Sequence, residues 1–159
     1  MCGIAGLLAI RHGHAGADPA ATARAMAATL AHRGPDGSDT WADAATGVGL
    51  AHRRLAIIDL TPTGAQPMHS ADGRYVITYN GEVYNFRELR AELEHHGHHF
   101  RGTSDTEVML AACTQWGPEA AVQKFIGMFA FALFDRQERT LRLVRDRMGV
   151  KPLYWTVAA

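Results

Sequence analysis

The β-like segments of this chain occur in groups rather than in strict alternation with helices, and this grouping constrains its fold most. Two of them, residues 128–134 and 141–145, are separated by the polar turn DRQERT, which is typical of a β-hairpin. A third β-like run follows at residues 153–157. Strands joined by hairpins pair antiparallel, whereas a doubly wound parallel sheet needs a helix after each strand. We therefore predict an α+β fold in which helices cover antiparallel sheets.

Hydrophobic periodicity predicts the remaining elements. Residues 2–10 form an apolar run typical of a buried strand, and a Gly/His/Asp/Pro loop separates this run from the first predicted helix. Further strands are predicted at residues 48–50, 55–60 and 74–79, after a turn in HRGPDG. Helices are predicted at residues 19–30, 86–95 and 106–116.

Length and charge limit the function classes. The 159 residues suit one domain, and their 16 basic and 16 acidic side chains form no long block of one sign. This balance argues against binding to nucleic acid or to an anionic membrane. The longest apolar runs end after about ten residues, whereas a membrane span needs roughly 20, and no secretory signal precedes Arg11. With only two cysteines, we expect a cytoplasmic protein.

Cys2 is the first candidate for chemistry, because removal of Met1 would place a free α-amine on the same residue as the thiol. Such an amine has an ordinary pKa of roughly 7.7–8.0 and can accept the thiol proton near neutral pH. N-terminal amines activate nucleophiles in this way. From its position alone, however, Cys2 is better explained as an inert small residue in a buried strand.

The pair Asn80 and Gly81 is a candidate oxyanion site. The Asn80 side chain offers an NH₂ group and Gly81 an unobstructed backbone N–H, the donors that a tetrahedral intermediate requires. Asn-Gly is also the strongest short hairpin signal, but only three residues separate it from Asn85, which is predicted to cap a helix. We therefore expect the pair at a strand end that faces a loop, with function and plain turn equally open.

Three charged residues suit an amino-acid zwitterion. The Arg54 guanidinium can hold a carboxylate bidentately, and Glu82 and Asp105 can pair with an ammonium. Each also has a structural explanation: Arg54 as a solvated charge, and Asp105 as part of a helix start with capping-box spacing from Ser104 to Glu107. No phosphate-binding glycine motif is present, and the cluster of His95, His96, His98 and His99 lacks the spacing of a metal site.

Several short motifs occur together, in an order that runs from Met1 to Trp155. They are MCGIAG, HRGPDG, AHRRLAIIDL, GAQPM, YNGEVYN, TSDTE, GMFAFALFD and RDRMGVKPLYW. In this combination the chain resembles the glutaminase half of asparagine synthetases, an N-terminal class II glutamine amidotransferase domain. HRGPDG and HRRLAIIDL favour this branch over glucosamine-phosphate synthase and the purine-pathway amidotransferase.

The resemblance implies an N-terminal-nucleophile hydrolase with a four-layer αββα sandwich. It implies Cys2 as nucleophile, Asn80 and Gly81 as oxyanion hole, and Arg54, Glu82 and Asp105 as ligands of glutamine. Backbone groups of Leu55, Ile57 and Ile58 are expected to line the same pocket. No metal or cofactor is expected in this domain.

The resemblance also implies partners outside the chain. Residues 1–159 would form the glutaminase domain, incomplete at its C-terminus, with the ATP- and magnesium-dependent synthetase domain absent. Ammonia would pass to that domain for the conversion of aspartate to asparagine, and a homodimer is a candidate assembly. Two alternatives stay open at this point: an N-terminal cysteine hydrolase acting on another amide, and a non-catalytic packing module.

Overall fold

A computed structural model describes residues 1–9 and 18–157. The strands are β1 (Gly3–Leu8), β2 (Gly37–Asp43), β3 (Val48–Arg54), β4 (Met68–His69), β5 (Tyr75–Val83), β6 (Gly127–Asp135) and β7 (Thr140–Arg145). The helices are α1 (Pro19–Ala28), α2 (Phe86–His95), α3 (Asp105–Trp116) and α4 (Pro118–Lys124), and single 3-10 turns lie at Ala31–Arg33 and Pro62–Gly64. The loop predicted before α1 lies almost entirely outside the described residues. No helix in the described ranges combines the length and apolarity needed to cross a bilayer.

The strands form two antiparallel sheets, one in the order β1-β3-β2 and one in the order β4-β5-β6-β7. Gly3 pairs with Arg53 in the first sheet, and Gly81 pairs with Phe129 in the second. The hairpin predicted from DRQERT joins β6 to β7, as expected. The predicted α+β class with antiparallel sheets is confirmed.

Successive side chains along each strand point to opposite faces of the sheet, and this alternation divides the core into layers. Ala51 of β3 packs against Ala23 and Ala27 of α1, while Leu50, on the opposite face, packs against Val76 of β5. Ile77 then faces the helices that cover the second sheet, where one buried cluster includes Leu93, Val108 and Phe131. Because successive side chains of a strand point to opposite faces, each sheet packs on a helical layer and on the other sheet. The architecture is therefore the predicted αββα sandwich.

Two predicted strands are wrong. Residues 55–60 form a loop rather than a strand, because the Arg54 guanidinium donates to the Asp59 carbonyl and folds the chain back. Residues 153–157 form no strand either, and Tyr154 and Trp155 are 91% and 75% exposed. Neither segment pairs with another strand among the described residues. Three elements were missed: β2, which is polar, the two-residue strand β4, and the short helix α4.

The helix starts show one correct and one incorrect cap. Ser104 caps α3 as predicted, because its hydroxyl accepts from the Glu107 N–H at 3.3 Å. Asn85 precedes α2 but does not cap it. Its side chain instead donates to the Lys124 carbonyl and accepts from the Ile126 N–H, both at 2.9 Å. Asn85 thus joins α2 to the segment between α4 and β6.

Candidate active site

The Asn-Gly pair lies inside β5, not at a strand end facing a loop as expected. The strand continues because residues 127–135 of β6 pair with it as far as Val83. The shorter β4 begins only at Met68, opposite Ile77, so the second half of β5 has an open edge. Unpaired backbone groups at such an edge are available to other partners.

The Gly81 N–H lies on this open edge. The Tyr79 N–H, two residues earlier, donates to Gln66 Oε1 at 2.7 Å, and the Val83 N–H, two residues later, donates to Asp105 Oδ2 at 3.0 Å. Alternate N–H groups of a strand point to the same side. The Gly81 N–H therefore points to the same side as the Tyr79 and Val83 N–H groups and lies between them. No side chain in residues 1–9 or 18–157 accepts from it. This leaves one backbone donor free at the cavity.

Only glycine fits at position 81. A Cβ there would lie 2.2 Å from the Met128 carbonyl oxygen, which is backbone of β6 and cannot move independently. Gly127 is similar, since its Cβ would lie 2.1 Å from the Glu82 carbonyl oxygen. The two glycines let β5 and β6 approach closely beside the site.

Cys2 precedes β1 and is half-buried. Its Sγ lies 3.3 Å from the Leu55 nitrogen, which donates to it, and 3.5 Å from the Leu55 carbonyl oxygen, which can accept the thiol proton. Arg33 Nε donates to the Cys2 carbonyl at 3.1 Å. The backbone at the end of β3 and the first 3-10 turn therefore fix the position of the thiol.

The three charged residues surround the same space. Arg54 ends β3, and Glu82 is half-buried on β5; neither forms an ion pair with any described residue. Asp105 begins α3 and is 5% exposed. Its Oδ2 accepts from the Tyr79 hydroxyl at 2.6 Å, and burial raises the pKa of Asp105 against the opposing effect of this hydrogen bond.

Asp59 organises the loop that the sequence predicted as a strand. Its carboxylate accepts from the Thr61 N–H and hydroxyl, at 2.8 and 2.6 Å, and from the Thr63 hydroxyl and the Thr103 N–H, at 2.9 and 3.0 Å. Burial alone would raise the pKa of Asp59, but these donors outweigh it and lower the pKa below its ordinary range. The loop between β3 and β4 is thereby attached to the segment before α3.

A cavity of about 140 Å³ lies between the two sheets at the open edge of β5. All nine residues that the sequence singled out for the site line it: Cys2, Arg54, Leu55, Ile57, Ile58, Asn80, Gly81, Glu82 and Asp105. A second cavity, of about 340 Å³, shares His52, Arg54 and Gln66 with it but contains neither the thiol nor the Asn-Gly pair. The smaller cavity is therefore the candidate active site.

Other residues that line this cavity were not predicted as part of the site, and four of them carry polar side chains with possible roles: His52, Gln66, Tyr79 and Lys151. All four lie in the sequence motifs quoted above, but the motifs alone do not reveal their contacts. The histidine cluster lies elsewhere; His95 contacts the Ala91 carbonyl of its own helix, and His98 contacts Gln115. Within the described ranges no three His, Cys, Asp or Glu side chains gather in a metal-binding arrangement.

His52 is a buried base beside the cavity. It is 1% exposed, and its Nε2 donates to the Tyr79 carbonyl at 3.1 Å. Burial lowers the pKa of His52 from 6.5 to about 4, with a smaller contribution from Arg54. The imidazole is therefore neutral at physiological pH.

Replacing His52 with glutamine is expected to flatten the pH dependence of stability. The unfolded chain protonates this histidine near pH 6.5, but the folded chain does so only near pH 4. The unfolded state thus binds more protons in this window, so the free energy of unfolding falls as the pH falls, by about 3 kcal/mol. Urea unfolding at pH 7 and pH 4.5 measures how far the free energy of unfolding changes between these pH values. The same change in His52→Gln as in the parent protein would contradict the prediction. The glutamine amide keeps a donor for Tyr79.

Comparison with known proteins identifies relatives across the whole chain. A sequence profile of the glutamine amidotransferase domain matches residues 1–159. The chain is 42% identical to asparagine synthetase [glutamine-hydrolyzing] 1 of Bacillus subtilis (strain 168), over 98% of this chain and 24% of the relative. It is also 42% identical to a putative asparagine synthetase [glutamine-hydrolyzing] of Mycobacterium tuberculosis (strain ATCC 25618 / H37Rv), over 100% of this chain and 26% of that protein.

A solved structure shows the same fold. The glutamine phosphoribosylpyrophosphate amidotransferase of B. subtilis superposes on 95% of this chain and 38% of its own, with a TM-score of 0.73 and 19% identity. The chain spans about a quarter of the length of the curated relatives it matches. These findings confirm the resemblance indicated by the sequence motifs.

Proposed function

This chain belongs to the glutamine amidotransferase domain family, and from that premise we propose that it hydrolyses the side-chain amide of glutamine through a thioester on Cys2. Glutamate and ammonia are the products. One observation carries the proposal: a thiol one residue from the start of the chain lies in the same cavity as an open backbone donor, a guanidinium and two carboxylates. The proposal requires that Met1 is removed, so that the α-amine of Cys2 is free.

The substrate zwitterion orients the reacting amide. Arg54 binds the α-carboxylate, because its guanidinium has no carboxylate partner among the described residues. Glu82 and Asp105, which line the same cavity, bind the α-ammonium. Leu55, Ile57 and Ile58 border the remaining volume, since all three line the cavity.

The chemistry proceeds in two halves. The α-amine of Cys2 takes the thiol proton, the sulfur forms a bond to the amide carbon, and the carbonyl becomes an oxyanion that accepts from the Asn80 NH₂ and the Gly81 N–H. The oxyanion collapses, the carbon–nitrogen bond breaks, and the amine returns its proton to the departing ammonia. A water molecule, deprotonated by the same amine, then attacks the thioester carbon. The carbon–sulfur bond breaks, glutamate leaves, and the amine returns the proton to the Cys2 sulfur.

We extend the proposal to the whole protein on the basis of its relatives. Two of them are named as glutamine-hydrolysing asparagine synthetases. We propose that residues 1–159 form the glutaminase domain and supply ammonia to a synthetase domain outside this chain. ATP and magnesium would bind there, where aspartate is the acceptor.

Covalent labelling combined with glutamate release tests the proposed function. Protein without Met1 should release glutamate and should react with a diazo-ketone analogue of glutamine only at Cys2, as located by mass spectrometry. Protein that retains Met1 is the matched control and should be inactive, because its terminal amine is displaced from the thiol. Equal rates from both forms, or an adduct elsewhere, would reject the mechanism.

The same assay separates the alternatives. Simple acyl amides lack the α-carboxylate and α-ammonium that Arg54, Glu82 and Asp105 would bind. Release of ammonia from acyl amides but not from glutamine would indicate a hydrolase of another amide. Absence of both reactions in Met1-free, folded protein would indicate a packing module.

A further inference from the structure

Lys151 brings a buried cation to the candidate active site that the proposed function leaves unused. The residue is 5% exposed and lines the same cavity as Cys2. Its Nζ lies 3.1 Å from Met1 Sδ, and no ion pair among the described residues includes it. A thioether is only a weak acceptor, so this contact does not compensate a buried ammonium. The hydrogen bond that its side chain makes among the described residues is thus with Met1, the residue whose removal the mechanism requires.

The loop that carries Lys151 is held firmly in place. The Lys151 N–H donates to Asp146 Oδ2 at 2.9 Å, and its carbonyl accepts from Arg145 Nε at 2.8 Å. Asp146 also accepts from the Phe129 N–H at 3.1 Å, which attaches the loop to β6. Burial would raise the pKa of Asp146, but its backbone donors outweigh burial and lower that pKa. The loop therefore presents the lysine from a fixed backbone position.

Geometry limits how far Lys151 lies from the amine of mature Cys2. Five covalent bonds separate Met1 Sδ from the Cys2 nitrogen, so Nζ lies within roughly 9 Å of that nitrogen. We infer that Lys151 is a positioning residue whose charge disfavours protonation of the α-amine and so keeps it ready to accept the thiol proton. This inference rests on the proposed function for its role in catalysis.

The other charges around the amine do not replace this effect. The titratable and charged groups of neighbouring elements that line the cavity or contact Cys2 are two cations, three carboxylates and two neutral groups: Arg33, Arg54, Asp59, Glu82, Asp105, His52 and Tyr79. With glutamine bound as proposed, Arg54, Glu82 and Asp105 pair with the zwitterion. Asp59 is held by its threonine donors, and Arg33 contacts the Cys2 carbonyl. In the described part of the chain, Lys151 then remains a buried cation with no carboxylate partner.

An NMR titration of the terminal amine tests the inference without requiring activity. The chain has two lysines, Lys124 and Lys151, so ¹³C-methylation gives three amine signals. A Met1-free Cys2→Ala background is used, because a terminal cysteine would condense with formaldehyde. Lys151→Met should raise the titration midpoint of the α-amine by about 0.5–1 pH unit, while Lys151→Arg should leave it within about 0.3. Lys124→Met, on α4, is the matched control and should leave it unchanged.

Activity gives the second readout. In the Cys2-containing protein, Lys151→Met should lower kcat/KM for glutamine by about 3- to 10-fold at pH 6.5 and less at pH 8.5, and Lys151→Arg should restore the profile. An unchanged titration midpoint of the α-amine in folded Lys151→Met protein would overturn the inference. If Lys151→Met does not fold, Lys151→Gln in the same titration decides the question. If Lys151→Met raises the titration midpoint of the α-amine but the chain never releases glutamate, the proposed function is rejected, whereas the effect of the Lys151 charge on the amine stands.

Discussion

Replacing Cys2 with alanine is expected to reduce glutamate release from glutamine by at least about 10⁴-fold, because no other group in the mechanism can form the thioester. The fold should be retained. Cys2 precedes β1, and among residues 1–9 and 18–157 its Sγ forms hydrogen bonds only with the Leu55 backbone, so the free energy of unfolding should change by less than about 1 kcal/mol. A glutamate assay on Met1-free protein and urea unfolding of the same sample measure both effects.

Cys113 provides the matched control for this variant. It lies on α3 and is 1% exposed within the core, and burial raises the pKa of its thiol to about 12. The Cys113 thiol is therefore protonated at neutral pH and unreactive. Cys113→Ala should lose stability, by roughly 1 kcal/mol for the cavity it leaves, and should keep its glutaminase activity. Activity that survives in Cys2→Ala and disappears in Cys113→Ala would reverse the assignment of the nucleophile.

The parts of the fold that the sequence predicted are those decided by local chemistry. Leu89 and Leu93 lie four residues apart and are both buried on α2, and the Ser104 hydroxyl caps α3 within three residues. The turn between β6 and β7 is also local, since its length alone selects a hairpin. In each of these cases the residues that determine the structure are close together in the chain.

The wrong predictions concern segments whose conformation is determined by residues far away in the sequence. The loop after Arg54 is apolar enough for a strand, but Thr103, 44 residues away from Asp59, helps to hold it as a loop. The Asn-Gly pair has the sequence of a turn, yet β6 extends the pairing of β5 beyond it. Lys151 meets Met1 across 150 positions, and no local pattern signals that contact. Sequence motifs thus indicated which segments line the candidate site, whereas tertiary pairing determined their conformation.

The Asn80 amide is expected to contribute the second largest effect after the thiol. Asn80 is 6% exposed and shares the inner face of β5 with Thr78, directed toward the first sheet that carries Cys2. If its NH₂ donates to the oxyanion, Asn80→Ala should lower kcat by about 10²–10³-fold with little change in KM, because that oxyanion exists only after attack. Asn80→Asp keeps the size of the side chain but replaces the donor with a negative charge, so its kcat should fall at least as far.

Thr78→Val separates this catalytic effect from a general loss of packing. Thr78 lies two residues before Asn80 on the same face, and its hydroxyl donates to the Ala51 carbonyl at 3.1 Å. Removing that hydroxyl should cost about 1–2 kcal/mol of stability but leave kcat within roughly twofold of the parent, since Thr78 does not line the cavity. Both expectations are tested by steady-state kinetics and urea unfolding of three variants: Asn80→Ala, Asn80→Asp and Thr78→Val. A kcat for Asn80→Ala close to that of Thr78→Val would remove Asn80 from the oxyanion hole and leave the Gly81 N–H as its only proposed donor.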